Sequence, residues 1–373
     1  MIRCCNLDWL SVSCLEPTTV EPLTADYYKS KGWDVDVRAY GTRVFGQMFT
    51  LKRNGVEVYE IRRDPLSKKD QGGIFDSRLC HIRFSNRTCY EVGCIDSLRV
   101  FLLSNRFQNI KINRIDICLD INVFDNQMQP QNLIDRYMKS EISKLNQSNI
   151  HAHGSDEWKS RKWNSLKWGS PTSKVTTKLY NKTMELGANP HNKEYIRQRW
   201  EESGLDTKKD VWRIEFSVSA SGTLLKDTKR EKHVALSLSE VDDTEKLIYI
   251  FLSLADHYFH FKYVEYKEDG ELKRKDRCKD VPLFKTGGTQ FSAVAGKLKT
   301  TGDPSKLTLR LIRECIDIYH NENCYDGKER CTAKDMANVL IHRLGIQKRI
   351  WKELRYKEEE VNAIKYGEEI IMY

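Results

Sequence analysis

The chain has 373 residues, 62 Lys plus Arg against 53 Asp plus Glu, a net charge of +9 and 39% hydrophobic residues. At roughly 150 residues per domain, that length leaves room for two to three domains. Its 17 Tyr, 13 Phe and 8 Trp are too many for a disordered chain, its 8 Pro and 20 Gly too few for a linker or a collagen, and it has no run of about 18 apolar residues, which excludes a membrane-spanning helix.

The opening MIRCCNLDWL has neither a long apolar stretch nor a small-residue cleavage site, so a cytoplasmic, bacterial protein is expected. Its 11 cysteines include no C-x-x-C pair and read as reduced thiols rather than zinc ligands. The basic excess suits a polyanionic partner without proving one.

In chain order, strands are expected from Val35 to Arg53 and Val56 to Arg63, closed into a hairpin by Asn54-Gly55. A strand from Arg78 to Phe84 and a helix from Ser97 to Phe107 follow, then a strand from Asn113 to Phe124 and a helix from Asn132 to Leu145. Strands from Lys174 to Leu186 and Val211 to Ala220 bracket a charged helix from Lys193 to Glu202. Thr244 to Tyr258 is a strongly apolar helix, Asp269 to Asp280 a charge-rich loop, and helices are expected at Ser305 to His320 and Lys334 to Leu344. Strands early and helices late predict an α+β fold: a mostly antiparallel nuclease-like sheet with packed helices over residues 1–240, then a helical region over 241–373.

Three segments carry polar residues where a sheet would rather be apolar. In Arg114-Ile115-Asp116-Ile117-Cys118-Leu119-Asp120 a period of two puts Arg114, Asp116, Cys118 and Asp120 on one face. Asp116 and Asp120 are then about 13 Å apart, too far to chelate one small ion together easily; a solvated face is the competing interpretation. Val211 to Phe216 repeats the theme with Arg213 and Glu215, which could equally be a surface ion pair. In Lys178 to Glu185, the residues Lys178, Tyr180 and Lys182 share a face if the strand continues, with Glu185 at its end. Phosphodiester cleavage uses such a set: carboxylates for a divalent cation, a phenolate nucleophile, and cations to lower its pKa from about 10.

NRIDICLDI, KLYNKTME and VWRIEF, in that order, resemble the Rep_trans family of rolling-circle replication initiators of plasmids and phages. The likeness is best to staphylococcal plasmid initiators, whose stretches read approximately R-L-D-x-x-x-D, I-Y-N-K-x-x-E and W-R-V-E. Relaxases of some conjugative transposons belong to the same family. With a fainter match at Leu79 to Asn86, the resemblance covers about Arg78 to Ala220. It implies Tyr180 as the nucleophile that becomes joined to the 5′ phosphate. It implies Asp116, Glu185 and Glu215 as ligands of Mg²⁺ or Mn²⁺, with Asp120 a fourth. Our physical reading adds Arg114 and Arg213 as supports for those carboxylates or as phosphate contacts, with Lys182 and Lys178 toward DNA. The implied partners are origin DNA, double-stranded and melted, a host helicase and polymerase, and a second copy in a homodimer. A transfer-origin relaxase and a non-catalytic DNA-binding regulator are the alternatives. The stretch before Lys174 is longer and richer in tryptophan than the family pattern.

Other signals compete. His151-Ala152-His153 matches the His-hydrophobic-His metal triplet of other nickases, but its polar, turn-rich flanks predict a solvated loop. Trp158, Trp163 and Trp168, interleaved with Lys159, Arg161, Lys162 and Lys167, could stack bases while cations meet phosphates. Core tryptophans on a strand are the alternative, since five-residue spacing alternates faces. Thr332 to Lys352 is compatible with a helix-turn-helix unit or with ordinary packing. The charge run from Leu272 to Lys279 is expected as a solvated loop that could touch phosphates.

Overall fold

The computed structural model describes residues 4–18, 23–66, 76–146, 149–157, 160–170, 172–188, 193–219, 224–227, 232–242, 244–284 and 291–293. The elements are β1 Cys4–Leu15, α1 Ala25–Ser30, β2 Asp34–Val37, β3 Phe45–Arg53, β4 Val56–Pro65, β5 Leu79–Phe84, α2 Asn86–Cys89, α3 Cys94–Ser104 and β6 Gln108–Ile121. They continue with α4 Pro130–Met138, β7 Ile142–Lys144, β8 Ile150–Glu157, β9 Ser160–Trp168, β10 Val175–Asn181, α5 Lys182–Ala188, α6 Glu194–Glu202 and β11 Trp212–Ser219. The remainder are β12 Leu224–Asp227, β13 Lys232–Ala235, α7 Thr244–Tyr258, β14 Phe261–Tyr263 and β15 Phe291–Ala293.

Ten strands form one antiparallel sheet in the order β2-β3-β4-β5-β1-β6-β11-β10-β9-β8. The fold is therefore α+β, as the strand-rich first half predicts. Asn54 and Gly55 both take positive φ (52° and 75°) and close β3 onto β4, the conformation a two-residue hairpin asks for.

The two faces of the sheet are chemically different. On one, Phe216 meets Phe251 of α7 at 5.1 Å, Trp168 meets Tyr137 of α4 at 5.7 Å, and Tyr59 stacks on Phe101 of α3 at 4.3 Å. Leu247, Ile250, Phe251 and Leu254 recur at helical spacing on α7 and are all buried in this core. Burying side chains of this size stabilises the fold by about 1.5–3 kcal/mol each. The other face carries the ionisable residues, and α5 and α6 cover part of it through Leu186, Ile196 and Trp200.

α7 packs on the sheet core, Phe251 against Phe216, within residues 1–295, which form one compact unit. The helices expected after Ser305 and the helix-turn-helix at 332–352 lie outside the described residues. The helix expected to reach Leu145 stops at Met138, where the chain turns through Ser140 (φ 61°) into β7. Among the described residues no helix is long and apolar enough to cross a membrane.

Candidate active site

β6, β11 and β10 lie side by side, and their registers bring the three polar motifs onto one face. Arg213 is opposite Asp120 on one side and Tyr180 on the other; Glu215 is opposite Cys118 and Lys178. Period two on each strand thus aligns Asp116, Asp120, Glu215, Arg213, Tyr180 and Lys178 on the sheet surface that the core helices leave free.

Tyr180 is the centre of the arrangement. Its hydroxyl donates to Glu215 Oε2 at 3.1 Å and accepts from Lys182 Nζ at 3.4 Å. Lys178 Nζ holds the other Glu215 oxygen at 2.6 Å. Burial, then the Glu215 charge, hold the Tyr180 hydroxyl well above its ordinary pKa, against the expectation that neighbouring cations lower it. The protein as it stands therefore keeps Tyr180 protonated, with a carboxylate positioned to take the proton. Lys182 itself is held below its ordinary value, first by burial and then by the Arg213 charge.

Lys182 does not continue the strand. Asn181 ends β10 and accepts the backbone N–H of Met184, which starts α5 at Lys182. Glu185 is thus a helical residue, with its carboxylate paired to Lys182 at 2.5 Å and Lys193 at 2.8 Å. Burial raises its proton affinity, but those two lysines outweigh it and hold the carboxyl below its usual range.

Asp120 has its oxygens taken by protein partners. It is fully buried, gripped by Arg213 through two bonds of 2.7 Å and by Trp200 Nε1 at 2.7 Å. Arg213, also fully buried, spends its remaining fork on Asp8 at 2.6 Å, so it braces carboxylates and does not reach a phosphate. Asp8, absent from the sequence reading, enters through a β-bulge between Leu7 and Trp9 and also accepts from Tyr90 at 2.7 Å. Burial works against its charge, but Arg213 and then Lys182 prevail and keep Asp8 ionised below the usual carboxylate range. No local signal in MIRCCNLDWL announces that bulge.

Asp116 differs. Arg114 binds it at 2.9 and 2.6 Å while remaining partly exposed. Burial raises its proton affinity and the nearby Glu215 charge adds to this, leaving the carboxyl above its ordinary value in spite of Arg114. Two neighbouring carboxylates, one of them reluctant to ionise, suit a divalent cation of the Mg²⁺ kind, which takes one or two carboxylates and completes its shell with water and phosphate. Asp116 and Glu215 are the neighbouring pair, and each is engaged by protein partners here, Asp116 by Arg114 and Glu215 by Lys178 and Tyr180, as Glu185 is by its lysines and Asp120 by Arg213 and Trp200. Among the described residues no group of three His, Cys, Asp or Glu converges to hold a metal ion by protein ligands alone.

Trp168 is fully buried against Tyr137, Phe259 and Phe261, so it cannot stack on a base. An irregularity in the β8–β9 pairing, with Ser165 opposite His153 but Trp163 opposite Gly154, breaks the strict alternation, and Trp163 packs partly buried against the same core. Trp158 lies outside the described residues. His151 and His153 are on strand β8, not in a loop: a polar edge strand lacks the apolar alternation that marks an inner one. Both are exposed, and His153 pairs with Ser165, which pairs with Tyr180, so the triplet shares the tyrosine's face two strands away. The 272–279 run forms a surface segment with a single 3₁₀ turn at Lys275–Arg277, its Arg274 paired to Asp276.

No protein-family model matches the chain, and no curated protein matches it. Among solved structures it is similar to a rolling circle replication initiator protein from Geobacillus stearothermophilus, at 13% identity and a TM-score of 0.43, over 75% of this chain and 92% of that one.

Proposed function

We propose that this chain nicks and rejoins origin DNA through a covalent 5′-phosphotyrosine and so initiates rolling-circle replication. One observation carries the reading: the hydroxyl of Tyr180 lies between Glu215 at 3.1 Å and Lys182 at 3.4 Å, on a surface shared with Asp116. The order and spacing of the three motifs, which resemble Rep_trans initiators, support it.

The residues divide the chemistry among themselves. Glu215 takes the phenolic proton as Tyr180 Oη attacks phosphorus; the bond from phosphorus to the 3′ oxygen breaks, and that oxygen takes up a proton from solvent. Lys178 holds Glu215 in its accepting orientation, and Lys182 stands beside the developing charge on the tyrosine oxygen. A divalent ion on Asp116 and Glu215 would supply neutralisation of the phosphate charge. The covalent link conserves the bond energy, so the same tyrosine can return the strand to the 3′-OH. In this reading the partners are origin DNA, the host helicase and polymerase, and a second copy of the chain.

The test is a supercoiled plasmid bearing the element's own candidate origin, incubated with Mg²⁺ or Mn²⁺ and either wild type or Tyr180→Phe. Wild type alone is expected to relax the plasmid and leave a protein–DNA adduct. Equal nicking by both proteins removes Tyr180 from the mechanism, and binding without nicking by either turns the reading to a non-catalytic regulator.

A further inference from the structure

The polar surface continues beyond Tyr180 across β6, β1, β5 and β4. Arg114 is opposite Ser11, Ser11 opposite Arg83, and Arg83 opposite Glu60. Along this line the Trp9 ring carries the Arg83 guanidinium at 4.6 Å and that of Arg114 at 4.7 Å. Arg83 also pairs with Glu60 at 3.1 Å. Arg62 binds one Glu60 oxygen through Nε at 2.9 Å and Nη2 at 2.6 Å, and Arg38 approaches the other at 4.0 Å.

Three guanidiniums therefore surround one buried carboxylate, leaving a formal surplus of two positive charges. Folding alone does not call for that surplus, since a single arginine would neutralise Glu60, as Arg63 does for Glu16. The surplus is felt locally: His81, opposite Arg62, is pushed down to about 4, first by burial and then by the Arg62 charge. The forks are also ordered in advance, Arg83 by the Trp9 ring and Arg62 by its two bonds, while Arg38 is largely open to solvent. Fixed guanidiniums match phosphate oxygens in geometry as well as charge.

We propose that Arg38, Arg62 and Arg83, gathered on Glu60 and aligned through Trp9 with Arg114, form a clamp for the DNA backbone. Four to five strand spacings separate β10 from β5 and β4, about 19–24 Å at ~4.8 Å each. That is the length of roughly six base pairs at ~3.4 Å per step, so a strand whose scissile phosphate meets Tyr180 passes over the clamp a few nucleotides away. The clamp rests on the nicking reading for its substrate but takes no part in the bond-breaking step.

The experiment measures fluorescence anisotropy of a labelled 30-nucleotide oligodeoxynucleotide, single-stranded and as a duplex, with the full-length protein over a range of salt. Arg38→Gln changes an exposed side chain and leaves the fold intact; Arg62→Lys and Arg83→Lys keep the charge on Glu60 but lose the fork. Arg38→Gln is expected to weaken binding of at least one DNA form roughly threefold to tenfold at 0.1 M salt, and to reduce the log–log salt slope by about 0.7 to 0.9. If wild type binds DNA and all three arginine variants match it in affinity and slope, the clamp is wrong and the nicking reading stands. If wild type binds neither form, both fall.

Discussion

Asp116 and Asp120 are the same residue type, four positions apart on the same face of the same strand, yet they lead opposite lives. Asp120 lies beneath α6, where Trp200 and Arg213 occupy its oxygens and no water reaches it. Asp116 lies beyond the helix, beside Glu215, with a partly exposed arginine and a raised proton affinity. The difference comes from what a distant segment lays over the strand. Both carboxylates are buried, but one is closed in with a buried cation and the other stands near a like charge with a cation that reaches solvent.

The comparison breaks most sharply under substitution. Asp120→Asn leaves Arg213 buried with half its neutralisation gone and is expected to cost about 3–5 kcal/mol in urea-induced unfolding. Asp116→Asn is expected to abolish most nicking while keeping the unfolding midpoint near that of wild type; a large loss of stability there would erase the distinction. Trp200→Phe removes one donor from Asp120 and is expected to cost about 1–3 kcal/mol with nicking retained in the folded fraction.

Acidity sharpens it further, because the site holds carboxylates shifted in both directions. Asp8 and Glu185 are held below their unfolded values, so the stability they contribute is present above about pH 4 and is lost as pH falls through their folded values. Asp116 is held above its unfolded value, so its folded form favours the proton, and its contribution weakens as pH rises from below about 3.9 through the folded value. The stability difference between Asp116→Asn and wild type is therefore expected to change across that window and flatten above it. An unfolding series that shows the change for Asp8→Asn in the same direction would contradict the assignment.

Much of the site was readable because a strand has a fixed period: the motifs named Tyr180, Lys178, Asp116, Glu215 and Arg213, and alternation put them on shared faces. Period alone could not say which strand lies beside which, or what covers them, and so Asp120 was read as a ligand and Arg213 as either a carboxylate brace or a phosphate contact. Asp8 was invisible because a bulge obeys no alternation. The strand reading overran at Lys182, although Asn181 with an acidic residue in the following turn is a helix-start signal. For α7 periodicity, length and composition agreed, and sequence and structure give the same span from Thr244 to Tyr258.

Tyr180 sits on a strand paired along its length, with seven register positions against β11 and four against β9. In the proposed covalent state, tension on the attached DNA end would be delivered to β10. A pull along that strand loads many hydrogen bonds at once in shear, whereas the same pull on a loop would peel contacts one after another. The anchoring point of the tethered strand is thereby also a place that the sheet holds from both sides.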